Sequence, residues 1–82
     1  MTERIEIQFA MAEGAMLRVL GLVERRGFEV RGVSMIGEGE QGSLSLDVRP
    51  RDPNRRLDIV AGQLRRLADV RHVNVSSQGF QS

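Results

Sequence analysis

Cysteine is absent from this chain of 82 residues. That removes disulfides, thiolate nucleophiles, iron–sulfur ligation and most structural zinc sites together. It also fits a cytoplasmic protein, where disulfides are rare. Tryptophan and tyrosine are absent too, and there are only three phenylalanines. Domains that stack nucleic-acid bases on a sheet need displayed aromatic side chains, so that function is poorly supported. Lysine is missing as well, and all twelve basic residues are arginine. An arginine-only surface could grip phosphate or carboxylate. The arginines do not form one block, however, and codon usage in a GC-rich genome accounts for them more simply. The pI near 9.0 looks basic, yet the net charge is only +1, too little for a nucleic-acid footprint. No long apolar run follows the start MTERIEIQF, so neither a signal peptide nor a membrane span is expected.

What is present is an ordinary globular composition, 40% hydrophobic and 28% charged. The length leaves room for one domain with a thin core, burying roughly 60% of the unfolded surface. Association with a partner is a ready way to bury more. Ile5, Ile7 and Phe9 alternate with Glu6 and Gln8, which predicts a strand over residues 3–9. After AMAEG the period changes. Met16, Val19, Leu20 and Val23 fall at helical spacing, which predicts a helix over residues 15–26 that Gly27 stops. Phe28 and Val30 begin a second strand. Val33 and Met35 continue it with shifted parity, which places a bulge at Arg31-Gly32. GEGEQG, residues 37–42, reads as a turn, and Leu44, Leu46 and Val48 make a third strand. Asp52 and Pro53 suit a helix start. Leu57, Val60, Ala61, Leu64 and Leu67 then mark a second amphipathic helix. Val73 and Val75 alternate with His72 and Asn74 in a last strand.

The order strand, helix, strand, strand, helix, strand predicts an α+β, ferredoxin-like βαββαβ domain. Right-handed crossovers put both helices on one face of a four-stranded antiparallel sheet. The domain is expected to span residues 1–77, with a polar tail at 78–82. Fold alone does not choose a function.

Catalytic equipment is lacking. His72, the single histidine, sits on the strand face opposite Val73 and Val75, with no evident nucleophile beside it. Glu38 and Glu40 share a flexible turn. GEGEQG has no following lysine and opens no helix, so it is not a phosphate loop. The segment Met11-Ala12-Glu13-Gly14 before the first helix is more interesting. The free amides of a helix N-terminus can hold a small carboxylate, and Gly14 admits close approach. Equally, Gly14 can simply turn the chain into the helix.

Residues 14–35, GAMLRVLGLVERRGFEVRGVSM, resemble the ACT domain of the regulatory small subunits of acetohydroxyacid (acetolactate) synthase. That family reads G-A-L-x-R-V-x-G-L-F-x-x-R-G-Y-N-I. Gly14, Ala15, Arg18, Val19, Gly21, Leu22, Arg26 and Gly27 match it, and Met16, Phe28 and Val30 are close substitutes. QLRRLADVRHV, from Gln63, is similar to the family's Q-L-x-K-L-x-D-V-x-x-V. The short length resembles the isozyme II type.

The resemblance implies a non-catalytic subunit that activates and stabilises a large catalytic subunit carrying thiamine diphosphate, magnesium and FAD. That complex condenses two pyruvates, or pyruvate with 2-oxobutyrate, towards valine, leucine and isoleucine. It also implies an amino-acid effector loop, here Met11, Ala12, Glu13, Gly14 and Ala15 with Glu29 on the second strand. Valine-sensitive relatives carry N-E-S-G in the loop and a further asparagine early in strand two. Met11 and Glu29 replace those asparagines, so weak or absent valine binding is expected. ACT domains of this kind join side by side through the second strand, which implies a homodimer through Phe28, Val30, Val33 and Met35. The arginine pairs 25–26, 55–56 and 65–66 are solvated surface or contacts to the large subunit. The alternatives are a free-standing ACT-type sensor that binds an amino acid and an RNA-binding module.

Overall fold

The computed structural model describes residues 3–77. The alternation at the start becomes β1 (Glu3–Ala10), because Ile5, Ile7 and Phe9 enter the core while Glu6 and Gln8 stay in solvent. α1 (Ala15–Arg25) buries Ala15, Val19 and Val23, a stripe at four-residue spacing. β2 (Phe28–Glu38) and β3 (Gln41–Pro50) form a hairpin, α2 (Leu57–Leu64) follows, and β4 (Val70–Ser77) closes the domain. The tail expected over residues 78–82 lies outside the described residues.

The sheet order is β2-β3-β1-β4, with every neighbouring pair antiparallel. β1 and β3 are therefore central, and β2 and β4 are edges. In the centre Ile5 stands opposite Leu46 and Ile7 opposite Leu44, while Val73 flanks Ile7 from β4. Val19 and Val23 of α1, with Val60, Ala61 and Leu64 of α2, complete the buried cluster. Each fully buried Val, Leu, Ile or Phe stabilises the fold by about 2 kcal/mol. The expected α+β ferredoxin-like plan is the observed one.

The bulge lies where the parity change placed it. Val30 pairs with Val48 and Gly32 with Asp47, which leaves Arg31 as the extra residue. That insertion keeps Val33 and Met35 on the helix side of the sheet, opposite Leu46 and Leu44.

Three local expectations need correction. The hairpin turn is only Gly39-Glu40, not residues 37–42, since Glu38 already pairs with Gln41. A positive φ of 64° at the first central residue makes glycine the natural occupant. Asp52 does not start the second helix. Its Oδ1 accepts from the Asn54 N–H at 2.8 Å and its carbonyl accepts from the Arg55 N–H at 3.2 Å, a turn closed on itself. The helix starts only at Leu57, after Arg56 in extended conformation. Leu67 lies beyond the helix, in a run of four-residue turns, yet still packs against the core.

Candidate functional site

The loop between β1 and α1 is held from both sides. The Ala10 N–H donates to the Asp69 carbonyl and the Met11 N–H to the Glu40 carbonyl, each at 2.8 Å. The Ala12 N–H turns back to the Ala10 carbonyl at 2.8 Å, and the Ala15 N–H to the Ala12 carbonyl at 3.0 Å. The amides of residues 10, 11, 12 and 15 are thus already spent inside the protein. Gly14 sits at φ 77°, so the turn itself requires a glycine. α1 nevertheless begins without a side-chain cap and without an acid in its first turn.

Arg18 lies over this entrance. A Cβ built on Gly14 would stand 3.1 Å from Arg18 Nη1, and the same guanidinium is ion-paired with Asp69. The pair ties α1 to the turn before β4. Met11 reaches the other way, across the hairpin. Gly37 and Gly42 face each other in register, and the Met11 thioether rests on both. A Cβ on Gly42 would stand 2.7 Å from Met11 Sδ, and one on Gly37 3.4 Å from Met11 Cε. Gly42 is there for close approach, since a Cβ would also stand 3.1 Å from the Phe9 ring, a task that its place in a glycine-rich run conceals.

Between loop, helix and β2 lies a shallow pocket of about 200 Å³, lined by Phe9, Met11, Ala12, Gly14, Met16, Leu17 and Met35. Every lining side chain is apolar. Such a wall suits a methyl-bearing group, and the thioethers of Met11, Met16 and Met35 make it adaptable. The charged ends of an amino acid would meet only backbone here. The apolar surface continues beside α1, where Leu17, Leu20, Gly21, Glu24, Val30 and Val33 line a second groove.

The expected site residues divide accordingly. Met11, Ala12 and Gly14 line the pocket, whereas Glu13 is exposed and not part of the lining, and Ala15 is buried in the core. Glu29 is not beside them. It lies at the far end of β2, opposite Arg49 on β3 and 3.6 Å from Arg31. Phe28 belongs to the edge strand, but its side chain is fully buried in the core, so it could offer only backbone to a second chain. Val30 is half-buried, while Val33 and Met35 are exposed. Phe9, Met16, Leu17 and Met35 complete the pocket. Helical spacing marks Met16 and alternation marks Phe9 and Met35, but only as apolar residues.

The uncovered sheet face is polar. Glu6, Gln8, Ser43, Ser45, His72 and Asn74 line a shallow trough there. Gln8 stands between Ser43 and His72 in the register. Two strand spacings, about 9.6 Å, therefore separate the two backbones, and among the described residues no hydrogen bond joins the Ser43 hydroxyl to the His72 imidazole. Elsewhere, two hydrogen bonds from Arg56, at 3.2 and 3.1 Å, hold the Asp58 carboxyl below its ordinary pKa. They steady the start of α2 and do not touch the pocket. No described helix is long and apolar enough to cross a membrane.

By architecture the chain is one of the small βαββαβ domains that pair a four-stranded sheet with two helices. The ACT domain from the GTP pyrophosphokinase of Chlorobium tepidum has this fold, with a TM-score of 0.76 at 15% identity over 92% of this chain and 96% of that one. The C-terminal domain of the MgtC protein from Mycobacterium tuberculosis shares it, at a TM-score of 0.73 and 12% identity, over 96% and 88%. The sequence decides the family: residues 11–73 match the profile of the ACT domain, and the chain belongs to that family. It is similar to the acetolactate synthase isozyme 2 small subunit of Escherichia coli K12, 27% identical over 75 residues, spanning 92% of this chain and 85% of that protein. The resemblance seen in two helical motifs therefore extends through most of both chains.

Proposed function

We propose that this chain is the regulatory small subunit of an acetolactate synthase, a non-catalytic protein that activates and stabilises a large catalytic subunit. The observation that carries the reading is the similarity to the isozyme 2 small subunit along most of both chains. The catalytic partner would bring thiamine diphosphate, magnesium and FAD, within a cytoplasmic complex of valine, leucine and isoleucine biosynthesis. Co-expression with the catalytic subunit tests the reading. Co-purification and a rise in acetolactate formation are expected. No association and no change in rate would overturn it and leave the free-standing amino-acid sensor.

Two finer features belong to the same reading. The first is weak or absent valine feedback. Met11 fills the notch over Gly37 and Gly42 and offers no hydrogen bond to an amino acid's charged ends. Glu29 would repel a carboxylate brought against it. Calorimetric titration is expected to give no micromolar valine binding, and a clear micromolar isotherm would overturn this point. The second is a homodimer joined along β2. The β2 edge lies beside exposed Leu17, Val33 and Met35, an apolar shelf next to unpaired backbone.

A further inference from the structure

We propose that the arginine-rich end of the domain, where the turn between α1 and β2 meets the loop between β3 and α2, docks onto a carboxylate-lined patch of the catalytic subunit. This rests on the regulatory-subunit reading above. Two segments build the surface. Residues 25–27 are Arg-Arg-Gly, and residues 49–56 are Arg-Pro-Arg-Asp-Pro-Asn-Arg-Arg. Together they hold six arginines and one aspartate, a net charge of 6 − 1 = +5, in a chain whose total is +1. The rest of the molecule therefore carries 1 − 5 = −4.

The fold presses the two segments together. The Arg51 N–H donates to the Gly27 carbonyl at 2.8 Å. The Arg55 side chain lies across Gly27, where a Cβ would collide with Nε. Arg55 is paired with Asp52 at 3.3 Å and Arg56 with Asp58 at 3.1 Å, which occupies those two cations. Among the described residues Arg25, Arg26, Arg49 and Arg51 form no ion pair, and all four are exposed. Arg25 and Arg26 suit a helix C-terminus and need no other reason. Arg49 and Arg51 sit at the end of a strand, where no helix dipole explains them.

The chemistry selects the partner. Guanidinium groups match carboxylates in a planar, two-pronged geometry. A long phosphate backbone would also meet the −4 remainder of the surface. Among the described residues it would find no aromatic stacking platform either, since Phe9 and Phe28 are buried. Arg49 lies on β3, one strand in from the β2 edge, and Arg51 just past the end of β3, so pairing along β2 leaves both open.

The test uses the full chain and the catalytic subunit of its own acetolactate synthase, with association measured at low and physiological salt. Arg25→Glu/Arg26→Glu/Arg49→Glu/Arg51→Glu is expected to weaken binding on the order of 100-fold. Wild-type affinity should fall as salt rises. Arg66→Glu/Arg71→Glu, at the other end, should stay within about threefold. Circular dichroism checks the fold. If the fourfold variant is unfolded, Arg49→Gln/Arg51→Gln gives the readout, with a loss of about fivefold expected. Wild-type binding that the arginine variants leave unchanged, or that the control weakens equally, would overturn this proposal alone. No wild-type binding would remove the regulatory-subunit reading and this surface with it. Tight binding of a single-stranded RNA of roughly 20 nucleotides at physiological salt would reassign the surface to phosphate and overturn it too.

Discussion

The two edges of the sheet are finished in different ways. Along β4, the Arg65 guanidinium reaches down from the end of α2 and donates to the Val73 carbonyl at 3.1 Å. Arg71 is an extra residue in the pairing with β1, since Gln8 faces His72 and Phe9 faces Val70. A capped carbonyl and a bulge both discourage an added strand. Along β2, the longer strand at eleven residues, no comparable side-chain cap on the backbone is found among the described residues. Its own bulge at Arg31 serves the opposite end. By restoring parity it turns Val33 and Met35 towards Leu17, so that apolar surface lies beside open backbone. The difference teaches which edge is better suited to the homodimer proposed above. A thin core needs more burial, and only one edge offers it in a form that backbone pairing can use.

The largest effect should come from placing charge on the β2 shelf. Val33→Glu/Met35→Glu is expected to weaken the homodimer at least about 100-fold, because pairing would bury unpartnered carboxylates. Light scattering across a dilution series reads it. Val75→Glu, on the other edge, should leave the dimer mass unchanged, and dissociation there would reverse the comparison. A middle-sized effect is expected at Arg65. Arg65→Ala should cost about 1 kcal/mol of stability by urea denaturation, with β4 amides exchanging faster than those of β1. If β4 were unaffected, the capped-edge description would be wrong. The smallest effect belongs to Asp58→Asn, near neither edge. The folded Asp58 pKa is lowered by Arg56, so the pair stabilises above the ordinary carboxylate range and loses that contribution as pH falls through the folded value. A slight loss of thermal stability at pH 7 is expected, converging with wild type in strong acid, where both are uncharged.

Much of this arrangement is legible in the residues, and the exceptions have physical causes. The bulge at Arg31 can be seen because a parity change leaves no other regular solution. The false helix start at Asp52 arises because one carboxylate can cap a helix or close its own short turn, and local sequence does not separate these. The loop Met11–Gly14 is found by resemblance and by the helix that follows it. Its pocket is not, because Met16, Leu17 and Met35 meet only when α1 settles against β2. Glu29 shows the reverse. The family pattern joins it to the loop, while within one chain the length of β2 separates them. In the proposed homodimer, an antiparallel pairing of two β2 strands would bring the start of one beside the end of the other, and the grouping would then draw on two chains.

Amide hydrogen exchange, measured strand by strand on the free chain at low and high concentration and then with the catalytic subunit, tests the edge assignment most directly. Slowed exchange through Val33–Met35 at high concentration, retained in the complex, with β4 unchanged, is the expected result. Protection that appears along β4 while β2 exchanges freely at every concentration would contradict it.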